Sequence, residues 1–183
     1  MIHHIDVSSV LRRSVCELYS NLVTRPTGAA VRAAIEQQLA ASPGKLLTII
    51  DFTHVGLLDF SCADEIVARL LLRANEGALP HDDYFLFRGV SEHHLDAIEA
   101  VLERHGLALV LEDAPGQPRV LGALDDRERE AFAAVVRLGR AAEPDLAAAL
   151  GIGRSDAAAL LDALCRRRLL FRLGGDFAAV GIQ

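Results

Sequence analysis

Apolar positions in residues 1–114 follow two rhythms that alternate along the chain. Leu46 to Phe52 is a mainly apolar, partly β-branched run behind Pro43-Gly44, which predicts a strand buried on both faces. From Cys62 to Asn75 the apolar residues Ala63, Ile66, Val67, Leu70 and Leu71 fall at spacings of three and four, which predicts an amphipathic helix. Tyr84 to Gly89 reads as a second strand, Glu92 to His105 as a helix with Leu95, Ile98, Val101 and Leu102 on one face, and Ala108 to Leu111 as a third strand. Two strand–helix–strand units in succession predict parallel pairing with right-handed crossovers. Upstream, Gly28 to Ala41 reads as a helix capped by Thr27, and Ile2 to Val7 as an edge strand.

After residue 124 the pattern changes. Asp125 to Leu138 reads as a helix with Phe132, Val135 and Val136 inward and acids in its first turn, where the helix dipole favours them. Glu143 to Leu150 is a short helix with Pro144 early, Gly151-Ile152-Gly153 a tight turn, and Ser155 to Arg168 a longer helix on Ala157, Leu160, Leu161 and Leu164. Leu169 to Leu173 and Asp176 to Val180 flank Gly174-Gly175, which predicts a hairpin. Pro115, Gly116 and Pro118 read as loop punctuation. The expected organisation is therefore an α/β domain over residues 1–114, a linker over 115–124 and a small α+β domain over 125–183.

Charge sharpens that division. The chain of 183 residues carries a net charge of -6, and all of it lies in residues 1–124, which hold 10 basic and 16 acidic side chains. Residues 125–183 hold 9 of each. A surface that wraps nucleic acid as a whole is excluded by that balance. No apolar stretch approaches the roughly 18 residues of a membrane span. Met1 to Arg13 lacks the order of a secretory signal, and Cys16, Cys62 and Cys165 are too scattered for a disulfide framework. A cytoplasmic, reduced protein is expected.

The segment Ile50 to Leu71 resembles the strand–loop–helix centre of STAS domains, the fold of bacterial anti-sigma factor antagonists. The nearer likeness is to the STAS-like family of unknown function, through Asp51-Phe52 at the strand end and Ser61-Cys62-Ala63-Asp64-Glu65 at the helix start. Thr24-Arg25, Gly28, Val31-Arg32 and Ile35-Glu36 fit the same family. The resemblance implies a STAS-like sheet with packed helices and a protein partner, of the anti-sigma or histidine-kinase-like ATPase type. It also implies that a hydroxyl at the helix start accepts phosphate. Phe60 and Cys62-Ala63 depart from the phosphorylatable pattern, so Ser61 is the one hydroxyl left. A serine there also has a structural reading, as helix N-cap with Asp64 completing the cap. Asp59, Ser61, Asp64 and Glu65 are thus the candidate phosphoacceptor or partner loop.

Pro144 to Gly175 resembles the winged helix-turn-helix of bacterial transcription factors. That likeness implies a recognition helix beginning at Arg154 and Ser155, and a basic cluster of Arg166, Arg167, Arg168 and Arg172 able to grip phosphates. Asp156, Ala158 and Ala159 are poor base readers. Two readings follow: a module for protein contact or homodimerisation, or a DNA-binding transcriptional regulator.

The histidines supply a third reading, a small metal-dependent enzyme. Adjacent His93 and His94 point about 100° apart and cannot chelate together from one helix. His81-Asp82-Asp83 needs the loop to fold back to form a site. No phosphate loop, dinucleotide fingerprint or nucleophile elbow occurs, and Lys45 is the single lysine. No cofactor or metal is expected, and the leading expectation is a non-enzymatic regulator.

Overall fold

A computed structural model describes residues 2–42, 44 and 47–182. One five-stranded sheet has the order β1 (Ile2–Asp6), β2 (Leu47–Asp51), β3 (Tyr84–Arg88), β4 (Ala108–Ala114) and β5 (Gln117–Gly122). The first four strands run parallel, with Ile50 opposite both Ile5 and Phe87, and β5 returns antiparallel to β4. The sequence-predicted Pro43 turn and the start of the strand at Leu46 lie outside the described residues.

The connecting helices are α1 (Val7–Ser14), α2 (Arg25–Ala40), α3 (Phe60–Ala63), α4 (Arg69–Asn75) and α5 (Glu92–His105), with a π turn at Asp64–Ala68 joining α3 to α4. Strands that follow chain order across a sheet, with crossovers of one hand, send every connecting helix to the same face. On that face Val10, Ile35, Ile66, Leu70, Ile98 and Val101 share a core with Ile5, Ile50, Phe87 and Leu109.

Such a topology leaves the second face bare. Side chains alternate along a strand, so Leu47, Ile49, Tyr84, Leu86, Ala108 and Val110 point the other way. They are covered by the C-terminal unit, made of α6 (Asp126–Leu138), α7 (Glu143–Leu150), α8 (Arg154–Arg166), β6 (Leu170–Leu173) and β7 (Asp176–Ala179). Phe132, Val135, Leu161, Leu164, Phe177 and Val180 join Leu86, Ala108 and Val110 in a second core. Within the unit, Ala141 bridges Phe177 of the hairpin through backbone bonds of 3.0 and 2.9 Å. The molecule is thus mixed α/β, a mostly parallel sheet with helices on both faces and a small antiparallel hairpin.

Three local expectations are corrected. Residues 115–124 are not a free linker: Gln117–Gly122 form β5, and Asp125 caps α6 directly after it, accepting from Glu128 N at 2.8 Å. Pro118 is tolerated because β5 is an edge strand, where a missing N–H need not cost a ladder bond. Val7–Ser14 form a helix that the short apolar pattern did not announce; Asp6 caps it through Ser8 N at 3.0 Å and Ser9 N at 3.4 Å. The upstream helix begins at Arg25 behind Thr24, not behind Thr27. Among the described residues no helix is long and apolar enough to cross a membrane.

Candidate functional site

The segment before α3 is held by one carboxylate. Asp59 accepts hydrogen bonds from Cys62 N at 2.8 Å, Ser61 Oγ at 2.9 Å and Thr24 N at 2.8 Å. Asp59, not Ser61, is therefore the N-cap, because its side chain accepts from the unpaired N–H of Cys62 while Ser61 lies inside the first turn. Burial would raise the Asp59 carboxyl, but these donors outweigh it and hold it below the usual carboxylate range. The Ser61 hydroxyl is engaged with that negative charge, an unfavourable neighbour for an added phosphate.

Asp59 also joins two loops. Its N–H donates to Leu22 O at 2.9 Å, and Leu22 N donates to Leu57 O at 2.8 Å. Gly56 N donates to Ser20 O at 2.7 Å and Leu57 N to Asn21 Oδ1 at 2.8 Å. A Cβ at Gly56 would lie 2.3 Å from Asn21 Oδ1, so a larger residue would displace the side chain that accepts from Leu57 N. Buried His94 lies with Nε2 2.6 Å from Gly56 O and pins the same loop to α5.

On this fixed platform large apolar side chains face solvent. Leu18 is 91% exposed and Leu57 62%, with Tyr19, Val23 and Phe60 each at least 40% exposed. Single exposed leucines are ordinary, but a group on two hydrogen-bonded loops is the kind of patch that marks an interaction surface. A shallow hollow of about 320 Å³ is lined by Leu18, Tyr19, Ser20, Asn21 and Val23. Sequence reasoning found Asp59 and Ser61 but missed the apolar residues. Their signal is Glu17 to Val23, a stretch whose apolar positions fit neither helix nor strand.

Asp64 and Glu65 are not at that surface. The π turn buries them, at 5% and 3% exposure. Asp64 takes Arg25 at 2.8 Å and His105 at 2.7 Å; Glu65 takes Arg25 at 2.7 Å, Arg32 at 3.2 Å and Arg69 at 3.2 Å. Burial works to raise the Asp64 carboxyl, yet Arg25 and His105 hold it lowered. The sequence expectation that Asp64 completes a cap is thereby corrected: it belongs to a buried ion network. The Cys62 thiol, fully buried, is pushed up to about 12 by burial and by Asp59, which removes it as a nucleophile.

At the carboxyl ends of the parallel strands, Asp6, Asp51, Arg88 and Glu112 stand side by side in register. Asp51 accepts from Thr53 N at 2.8 Å and Thr53 Oγ1 at 2.5 Å, and pairs with Arg88 at 3.2 Å and His4 at 2.9 Å. Burial alone would raise its carboxyl; these partners bring it to about 2. Parallel sheets bind ligands where strand order reverses. Here the order is monotonic, Arg88 pairs with both Asp51 and Glu112, and Asp6 is taken up by Ser8 and Ser9.

The C-terminal arginines do not form one basic face. Arg167 pairs with Glu128 at 3.0 Å and donates to Ala123 O. Arg168 pairs with Asp82 at 2.8 Å, donates to Asp83 O at 3.3 Å and lies 5.5 Å over the Tyr84 ring. Arg172 pairs with Asp162 and covers Phe177 at 5.0 Å. Arg154, Ser155 and Arg166 are exposed, beside exposed Asp156. Of the cluster expected to grip phosphate, Arg167, Arg168 and Arg172 thus have internal partners, while Arg166 stays exposed. Of the histidines, His94 is structural, and among the described residues no three His, Cys, Asp or Glu side chains gather as a metal site.

Comparison with protein-family models, with curated proteins and with solved structures finds no match to this chain.

Proposed function

We propose that this chain is a non-enzymatic bacterial regulatory protein whose STAS-like α/β unit docks a protein partner through the loops around Asp59 and Ser61. The observation that carries this reading is the set of exposed apolar side chains, Leu18, Tyr19, Val23, Leu57 and Phe60, on a platform pre-ordered by Asp59 and His94. A pre-ordered surface loses little conformational freedom on binding. Docking requires no phosphate at Ser61. A partner of the anti-sigma or histidine-kinase-like ATPase type is carried over from the sequence resemblance.

The C-terminal unit is read as a winged helix. Support comes from its layout: helix, a one-residue bridge at Ala141, helix, the turn Gly151-Ile152-Gly153, helix and hairpin. Its role in this proposal is to cover the second sheet face and to present α8 as a neutral surface. DNA reading through Arg154 and Ser155 is the second reading, favoured by their exposure and opposed by Asp156 and by the engagement of Arg167 and Arg168.

The test compares proteins retained from extract by the wild-type chain and by a Leu18→Asp/Leu57→Asp variant of unchanged melting temperature. Retention of a defined partner by the wild type and its loss in the variant is expected. Equal retention refutes the docking surface. Fluorescence anisotropy with duplex DNA, repeated in Arg154→Ala, separates the second reading; salt-sensitive binding lost in that variant would support it.

A further inference from the structure

A second feature, sharing no residue with the docking loops, lies on the helical layer. Arg32 of α2, Arg69, Leu72 and Arg73 of α4, the adjoining Glu76 and His105 line a cleft of about 360 Å³. Three guanidinium groups facing one hollow repel each other unless something behind them holds them. Here the holders are buried Glu65 and half-buried Glu36: Arg32 lies 2.7 Å from Glu36 and Arg73 lies 3.0 Å from it. With Arg25 added, four arginines stand against the three carboxylates Glu36, Asp64 and Glu65. Glu76, which lines the cleft without joining an ion pair, balances that excess, so what the cleft offers is guanidinium donors and not net charge.

Those donors are not used up. Arg69 comes nearest to Glu65 and Asp64 through Nε, at 3.2 and 3.8 Å, and half of its side chain stays exposed. Arg32 keeps Nη2 and Arg73 keeps Nη1 without a described acceptor. A guanidinium fork pairs with phosphoryl oxygens through parallel hydrogen bonds, and these forks are already ordered by their carboxylates.

We propose that this cleft binds a small oligophosphate anion of the pyrophosphate class. Several guanidinium groups spread over one hollow match several phosphoryl oxygens better than a single carboxylate. The lining contains no phenylalanine, tyrosine or tryptophan ring, its one imidazole, His105, is tied to Asp64 at 2.7 Å, and Leu72 is its one apolar residue. The charge behind the cleft is fixed in ion pairs, so a ligand of high charge density is required to compete with it. Glu76, exposed at the rim, opposes binding.

Calorimetric titration of the full chain at low ionic strength, with pyrophosphate and with orthophosphate, tests this. Saturable binding of pyrophosphate is expected, at least about tenfold tighter than orthophosphate, a difference of about 1.4 kcal/mol. Arg69→Ala with Arg73→Ala should weaken it by a further tenfold or so, and Glu76→Gln, which touches no ion pair, should strengthen it. Arg154→Ala, far along the chain on α8, should leave it unchanged. Absence of saturable pyrophosphate binding by the wild-type chain overturns the proposal. So does equal affinity for orthophosphate, or a loss in Arg154→Ala as large as in the cleft variant. Should the double variant fail to fold, Glu76→Gln decides alone: unchanged or weaker binding refutes the site.

Discussion

The two faces of the sheet are closed by different means. One is covered by α1–α5, which the chain cannot avoid laying there as it links successive parallel strands. The other is covered by a separate unit from further along the chain, held by a shared core and by Arg167 and Arg168. The difference explains where surface remains for a partner. The C-terminal unit spends its apolar residues and two of its arginines on the sheet. The loops before α3 keep Leu18 and Leu57 in solvent although backbone bonds join one loop to the other.

The largest effect should come from breaking the second face. Phe132, 2% exposed, joins the core beneath Leu86 and Val110. Phe132→Ala should cost about 3–5 kcal/mol in urea unfolding, with sheet and helices lost in one transition. Two separated transitions would mean that the C-terminal unit is a detachable domain.

Next comes the charged row at the strand ends. The Asp51 carboxyl stands at about 2 against an ordinary 3.8. Its depressed value contributes stability that is present above about pH 4 and lost as pH falls towards 2, amounting to about 2 kcal/mol. Asp51→Asn should be less stable by about that amount at neutral pH, and the gap to wild type should narrow on acidification. A constant gap would show that the row contributes by packing alone.

Smaller still is the clamp. Arg167→Ala removes charge-assisted bonds to Glu128 and to Ala123 O, and should cost about 1–2 kcal/mol in the same unfolding assay. Arg154→Ala, which cuts an exposed pair with Glu143 at 3.6 Å, should change stability by less than about 0.5 kcal/mol. Equal costs for the two arginines would erase the contrast between clamping and free basic residues.

Much of this architecture can be read from the residues. Leu47–Asp51 and Tyr84–Arg88 are apolar runs with few alternatives, and the spacing of Ile66, Val67, Leu70 and Leu71 announces the helix that follows. β5 is hidden because Gly116, Pro118 and Gly122 resemble punctuation, and only an unpaired edge makes them compatible with a strand. The capping role of Asp59 is ambiguous because Ser61 is an equally good cap by type, and loop geometry decides between them. The π turn has no composition of its own, so the burial of Asp64 and Glu65 follows from arginines distant in sequence. Arg168 reads as a solvated cation, yet it adopts φ +57° and turns back to Asp82 and Tyr84.

The most direct measurement is hydrogen exchange on the wild-type chain, alone and with the partner it retains. Docking at the two loops predicts new protection confined to residues 15–24 and 53–61, with α8 and the β6–β7 hairpin unchanged. Protection confined to residues 154–179, with the two loops exchanging as before, would contradict it.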